Sequence, residues 1–280
     1  MTRIGIISDV HLAPRGEPAA SWHGVYDFQG SAGRVSRALE VFKEASVDGL
    51  LVLGDLTHRG DEDSVAEVLA LLDQARCDVW YAWGNHDGPR RRAGPSQGVL
   101  ADGLRVAVLE IERTPSGFRS CAPLHVESWH DDLTLLASHF PVVSREAELT
   151  ARGYAYAGDL EDQEALCGAL VSRRAPTIAV CGHLHVRDAC ARASLLQLYS
   201  AAVVEAPFEC SLLELERSPG ATRLTLTAVA LGPAPSADAP VFVADVQVWE
   251  FDGVWSPTEP PPSRTPAPPP PAPAARRSPG

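Results

Sequence analysis

The chain has 280 residues, 45% hydrophobic and 21% charged, a globular composition that excludes a wholly disordered polymer. Its formal net charge of −12 argues against a protein that coats nucleic acid by neutralising phosphates. No apolar run reaches 18 residues, so no membrane span is expected, and the apolar stretch at residues 4–7 is too short for a signal peptide. The six cysteines show no CxxC spacing and read as reduced thiols, which makes the cytoplasm the expected compartment.

Residues 3–8 form a short apolar run, the pattern of a strand buried on both faces. A Gly-, Pro- and Ala-rich loop follows to about Gly33, and then Val35, Ala38, Leu39 and Phe42 repeat at helical spacing. Residues 49–53 are the next buried strand. Val65, Val68, Leu69 and Leu72 mark a second helix, and residues 79–82 a third strand. Three strands separated by two helices predict a parallel βαβαβ unit with right-handed crossovers. Residues 105–111, 124–128 and 133–138 read as strands in a meander, joined by short polar connections. Asp159 is the expected N-cap of a helix running to about Arg173. Residues 177–180, 195–199, 208–215 and 222–231 complete the strands. This order predicts an α/β fold with two mixed sheets and helices outside.

The C-terminal part divides by composition. Residues 1–232 are the expected main domain and 233–240 a Pro/Ala linker. Residues 241–256, with Trp249 and Trp255, form a strand-like extension. An extra strand pair covering a sheet edge explains that extension better than a partner-docking element. Residues 257–280 hold 11 of the 24 prolines and cannot build a core, so an extended, disordered Pro-rich tail is expected. The tail carries a net +2, leaving −14 on the rest of the chain.

Polar residues able to bind metal sit at the end of one predicted strand after another. Asp9 and His11 close the first, Asp55 follows the second in Leu-Gly-Asp, and Asn85, His86 and Asp87 follow the third in Gly-Asn-His-Asp. His139 ends residues 133–138, and His183 and His185 follow 177–180 in Gly-His-Leu-His. Carboxyl ends of strands form the ligand crevice of open α/β sheets, so these groups are expected to converge. Carboxylate with imidazole and no thiolate suits Mn, Fe or Zn in a catalytic rather than a structural site. Glycines before Asp55, Asn85 and His183 are expected to let the backbone turn tightly there.

Asp9-x-His11, Gly54-Asp55, Gly84-Asn85-His86-Asp87, His139 and Gly182-His183-x-His185 resemble, in order, the five motifs of the calcineurin-like metallophosphoesterases. The match spans residue 3 to about residue 215. Within that superfamily the chain is most similar to class III cyclic nucleotide phosphodiesterases and their small bacterial relatives. The resemblance implies a four-layer α/β/β/α sandwich holding two divalent or mixed-valence metal ions. Asp9, His11, Asp55 and His185 would hold one metal, and Asp55, Asn85, His139 and His183 the other, with Asp55 bridging. It further implies attack on phosphorus by a hydroxide between the metals. His86 would then contact the phosphoryl oxygens and protonate the leaving alcohol.

One position departs from the pattern. Several members carry an Asp three residues after the bridging Asp, paired with the catalytic His, and here that residue is His58. Either His86 works unassisted or Asp87 or Asp61 substitutes, with His58 lining the pocket or supporting it from behind. Arg90, with Arg91 and Arg92, follows Gly-Asn-His-Asp closely enough for a guanidinium to reach a phosphate; a solvated charge run explains these arginines equally well. Trp22, His23 and Tyr26 lie in a loop that could stack a nucleobase, although packing of the loop is the simpler reading. His23, His125 and His130 match no motif and read as solvated or loop histidines.

The expected function is hydrolysis of small phosphodiesters, cyclic or linear and of nucleotide type. A phosphomonoesterase or protein phosphatase of the same fold is the alternative, and a non-catalytic binding scaffold a more distant one. A nucleic-acid polymer is an unsuitable partner for a −14 body. The sequence leaves open homodimerisation and a docking partner for the Pro-rich tail.

Overall fold

The computed structural model describes residues 1–88, 95–100, 102–121, 133–153, 158–218, 220–233 and 239–258. The first half contains β1 (Thr2–Ile7), α1 (Phe28–Ala45), β2 (Gly49–Val52), α2 (Glu62–Leu72), β3 (Asp78–Tyr81), β4 (Gln97–Val99) and β5 (Arg105–Val108). Then come β6 (Ile111–Arg113), β7 (Phe118–Ser120), β8 (Thr134–Ser138), α3 (Glu146–Ala151), α4 (Gln163–Val171), β9 (Thr177–Cys181), β10 (Asp188–Arg192) and β11 (Leu195–Tyr199). The chain closes with β12 (Glu209–Ser218), β13 (Ala221–Ala230), β14 (Val246–Phe251) and β15 (Trp255–Thr258).

The strands build two large mixed sheets. One runs β15-β14-β13-β12-β1-β2-β3, with β1, β2 and β3 parallel and the remaining pairings antiparallel. The other runs β10-β11-β9-β8-β5-β4, parallel from β5 through β8 and β9 to β11. Ile4, Ile6, Leu51, Leu53 and Trp80 of the first sheet meet Val106, Leu135, Ile178, Val180 and Leu198 of the second in one buried core. On the outer face of the first sheet, Leu50, Val52 and Tyr81 pack on Val35, Ala38 and Phe42 of α1 and Val68 and Leu72 of α2. On the outer face of the second, Ala107, Leu136 and Ala179 pack on Leu166, Cys167 and Leu170 of α4. The result is the four-layer α/β/β/α sandwich, because each sheet buries both faces and each helix only one.

Two sequence expectations change. The 105–138 region is not a meander of neighbours, since β5 and β8 are parallel partners with Ala107 opposite Leu136. All five residues of β8 are buried, as parallel strands covered on both faces require. The strand expected at 124–128 lies outside the described residues. The N-cap position of α4 is Asp162, not Asp159, and neither carboxylate caps the helix. Asp159 instead accepts from the Ser144 hydroxyl at 2.5 Å, and Asp162 accepts the Ser120 N–H at 3.1 Å, so both tie down neighbouring loops.

At the C-terminal end, β14 and β15 extend the first sheet. Trp249 and Trp255 enter the core between the sheets, and Trp255 Nε1–H donates to the Ser194 carbonyl at 3.0 Å. Pro257 and Thr258, counted in the tail by composition, pair with Trp249 and Val248. Proline is tolerated there because β15 is the edge strand and its outer side needs no N–H. The rest of the expected tail, and residues 234–238 of the expected linker, lie outside the described residues. Among the described residues no two cysteines form a disulfide, and Cys167, Cys181 and Cys210 are buried.

Candidate metal centre

The site forms where the carboxyl ends of both sheets abut. Beyond β1 and β2 the parallel register continues into the loops, with Asp9 N–H donating to Gly54 O at 3.1 Å and His11 N–H to Asp55 O at 2.8 Å. The second sheet joins through the His183 N–H, which donates to the Asp9 carboxylate at 3.1 Å. Asp9, His11, Asp55, His183 and His185 all have left-handed backbones, with φ of 52°, 46°, 48°, 66° and 54°. Such conformations cost about 1–2 kcal/mol per residue. Here they kink the chain at each strand end so that the side chains at alternate positions, 9 and 11 or 183 and 185, aim at one volume.

The glycines serve two different needs. Gly54 has φ of 90° and makes a true turn. Gly84 and Gly182 have no positive φ; a Cβ on either would overlap Asp55 or the Ser8 and Asp9 side chains. Tight turning, expected at all three, therefore holds only at Gly54, and close approach explains the other two.

Hydrogen-bond accounting shows what the cluster lacks. Leu53 O can only accept, so His139 donates to it from Nδ1 at 2.7 Å and turns its Nε2 inward. That Nε2 lies 3.3 Å from Asp55 Oδ2, 3.1 Å from Asn85 Oδ1 and 3.1 Å from His183 Nδ1. On the other side, His185 donates from Nδ1 to Glu205 at 2.5 Å and points Nε2 at Asp9 Oδ1, 3.3 Å away. His11 Nε2 is buried without a hydrogen-bond partner, 3.6 Å from Asp55 Oδ2. Asp9, His11 and His185 thus make one set of converging lone pairs and Asp55, His139 and His183 another, with Asp55 beside both. Lone pairs facing one another in a buried space require a cation, and imidazole with carboxylate fits two divalent ones.

The proton equilibria carry the same message. Burial opposes charge on His139 and His185. The carboxylates of Asp55 for the first, and of Asp9 and Glu205 for the second, outweigh it and raise these imidazoles to about 9 and about 10. His11 is pushed down to about 3, chiefly by burial. Asp9 and Asp55 are held below the usual carboxylate range because the histidines outweigh burial. The centre attracts positive charge, which a metal supplies in place of protons.

His86 lies half-buried at the rim. Its N–H donates to Asp55 Oδ1 at 2.8 Å and its Nδ1–H to the His58 main-chain carbonyl at 2.8 Å, leaving Nε2 for a ligand. Neither acid weighed as its partner takes that place. Asp61 caps α2 by accepting the Ser64 N–H at 2.9 Å. Asp87 is buried and accepts the N–H groups of Thr57 at 3.0 Å and Gly84 at 2.9 Å. Burial, aided by Asp55, raises the Asp87 carboxyl to about 7. The His58 ring stacks on His86, centroids 5.3 Å apart, and its Nδ1 is 3.4 Å from His11 Nδ1. Arg90, His125 and His130 lie outside the described residues.

The loop between β1 and α1 closes one side. Trp22 meets the His185 ring edge-on at 5.0 Å, and Tyr26 lies 5.2 Å from His11 and 5.6 Å from His185. His23, read as a solvated or loop histidine, lies in this loop, bonds through Nε2 to the Leu184 carbonyl at 2.8 Å and stacks on Trp22. Glu205 escaped the sequence reading altogether. The signal available was a lone carboxylate in the apolar run 201–206, an arrangement that demands a buried partner.

A sandwich with two such clusters side by side, Asp55 lying next to both, fits a phosphoesterase of the two-metal type. The calcineurin-like phosphoesterase family profile matches residues 2–187, and the chain belongs to that family. A curated relative from Rhodococcus erythropolis, named a probable cyclic nucleotide phosphodiesterase, is 28% identical over 203 residues. The matched region covers 64% of this chain and 63% of that relative's length. Among solved structures, a dimetal phosphatase from Danio rerio aligns with a TM-score of 0.62 at 15% identity, covering 82% of this chain and 96% of its own. At that identity the likeness concerns the fold. Among the described residues no helix is long and apolar enough to cross a membrane.

Proposed function

We propose that the chain is a dinuclear metal-dependent phosphohydrolase acting on small phosphodiesters of nucleotide type, cyclic or linear. The observation that carries this reading is the convergence of seven side chains able to bind metal, Asp55 among them, with His86 at the open rim. Asp9, His11, Asp55 and His185 would hold one cation, and Asp55, Asn85, His139 and His183 the second. When bound, such a pair supplies Lewis acidity toward the phosphoryl oxygens and lowers the pKa of a water.

The chain's own residues do the rest. The His58 carbonyl holds His86 by Nδ1–H, so Nε2 is the atom that hands a proton to the departing alcohol. The Trp22 and Tyr26 rings wall the centre and keep water from one side of a bound ester. A diester is favoured over a monoester by the kinship with a probable cyclic nucleotide phosphodiesterase.

The test is a substrate panel on metal-depleted protein refilled with Mn, Fe or Zn, comparing cyclic nucleotides, bis(p-nitrophenyl) phosphate and monoesters. Turnover of diesters that needs metal and is abolished in Asp55→Asn is expected. Faster turnover of monoesters would transfer the assignment to a phosphomonoesterase. Full folding with no bound metal and no turnover would leave a scaffold.

A further inference from the structure

Glu205 is fully buried, yet both its carboxylate oxygens are engaged by groups with different duties. Oε1 accepts from His185 Nδ1 at 2.5 Å, and Oε2 accepts the main-chain N–H of Gly24 at 2.7 Å. His185 belongs to the metal centre, whereas Gly24 lies at the tip of the loop that carries Trp22 and Tyr26. That tip is a narrow reversal, with Trp22 N–H donating to Gly24 O at 3.1 Å and Tyr26 N–H to Ala20 O at 2.9 Å. Other ties run between the same segments. Asp27 N–H donates to Val204 O at 2.8 Å, and Val204 N–H in turn donates to Asp9 O at 3.1 Å. Arg34 bridges the Val203 carbonyl at 3.1 Å and the Asp27 carboxylate.

We propose that Glu205 is a positioning residue that sets the metal ligand His185 and the aromatic loop with one carboxylate. This inference rests on the dinuclear reading above. An ionised carboxylate has only acceptors, so it holds the proton of His185 at Nδ1 and keeps the Nε2 lone pair directed at the cation site beside Asp9. The same group, by accepting from Gly24, fixes how closely Trp22 and Tyr26 approach the His185 and His11 rings. Ligand orientation and the shape of the substrate wall are thereby linked through one side chain. Burial forces the linkage, because leaving either oxygen unpaired would strand a buried acceptor.

The experiment compares wild type, Glu205→Gln and Glu205→Ala as full chains, with Mn2+ titrated calorimetrically and amide hydrogen exchange followed over residues 20–27. A glutamine keeps one acceptor oxygen but must face its NH2 toward either His185 Nδ1–H or Gly24 N–H. The stronger demand of the imidazole should claim the oxygen. Glu205→Gln is therefore expected to hold Mn2+ within about fivefold of wild type while Gly24 exchanges at least tenfold faster. In Glu205→Ala one of two Mn2+ ions should bind about 10–100-fold more weakly, the usual cost of removing such a partner, and exchange should again rise. Unchanged Gly24 exchange in Glu205→Gln overturns the proposal, as does wild-type affinity for both ions in Glu205→Ala. Should the alanine variant fail to fold, the glutamine variant decides alone, since its amide cannot satisfy both partners. Wild-type protein that takes up fewer than two Mn2+ counts against the dinuclear reading instead, while the Gly24 exchange still reports on Glu205.

Discussion

His86 donates its Nδ1–H to a main-chain oxygen of His58, so that hydrogen bond does not depend on the side chain at position 58, whose ring adds only a stacking contact. Substituting that side chain leaves the carbonyl in place. His58→Ala is expected to lower kcat by less than about tenfold, roughly 1.4 kcal/mol in the barrier. His86→Ala is expected to lower it about 10²–10⁴-fold with both metals still bound, and more for alkyl esters than for p-nitrophenyl esters, whose leaving groups need no proton. Steady-state rates on the two ester types, with metal content measured alongside, check both expectations. Equal losses on the two ester types would remove His86 from the proton-donor role. At this scale the sequence supplies residue types able to bind metal at the strand ends. Asp9, His11, Asp55, Asn85, His139, His183 and His185 converge, because a residue type at a strand end is a property of local sequence. Their partners were hidden. The His58 carbonyl belongs to every residue type alike, and Glu205 lies 20 positions from the histidine it holds.

Among the elements, the helices and buried strands follow their apolar spacing, whereas the pairing of strands does not. α1 buries Val35, Ala38 and Phe42 as its period requires, and Asp27 caps it by accepting the Gly30 N–H at 3.1 Å. The parallel pairing of β5 with β8 was not legible, since an apolar run of five looks the same whichever neighbour it finds. β14 and β15 make a sharper case. They are read from composition as an extension, yet Trp255 is 5% exposed and packs between the two sheets. Trp255→Ala is expected to cost about 3–5 kcal/mol, seen as a lowered urea midpoint with unchanged slope. An effect under about 1 kcal/mol would mean that the strand pair is dispensable to the core. Gly5 offers a converse test. A Cβ there would sit 2.8 Å from the Phe42 ring, so Gly5→Ala should destabilise by about 1–3 kcal/mol through overpacking of α1 on β1.

Across the molecule as a whole, side chains tie one sheet to the other. Asp102, in the turn between β4 and β5 of the second sheet, takes the Thr2 hydroxyl of β1 and pairs with Arg217 of β12 in the first. Burial pushes its carboxyl up, but Thr2, the Leu104 N–H and Arg217 outweigh it and hold the carboxyl below its ordinary 3.8. A carboxyl depressed on folding adds stability that is fully present above its unfolded pKa and disappears as pH falls through the folded value. The melting temperature of Asp102→Asn should therefore lie below wild type at pH 7, and the gap should close progressively as pH falls below the ordinary 3.8. A gap that persists in acid would place the effect in packing and not in charge. Because the group is mostly exposed, the gap is expected to be small and to narrow in high salt.

The charge of −12 stated a balance without a location. The structure places two of the carboxylates, Asp9 and Asp55, in a buried centre where bound cations would offset them, so the global figure does not bar an anionic ester from docking. By itself the sequence determined which residue types able to bind metal stand at strand ends, the helices α1, α2 and α4 with most of the buried strands, and the family to which the chain belongs. Each of those rests on spacing along the chain. Tertiary structure alone decided the lone-pair directions of His139 and His185, the carbonyl that holds His86, the partners of Glu205 and the docking of β15 in the core. Those depend on groups brought together from distant positions, and on backbone atoms that carry no sequence signal.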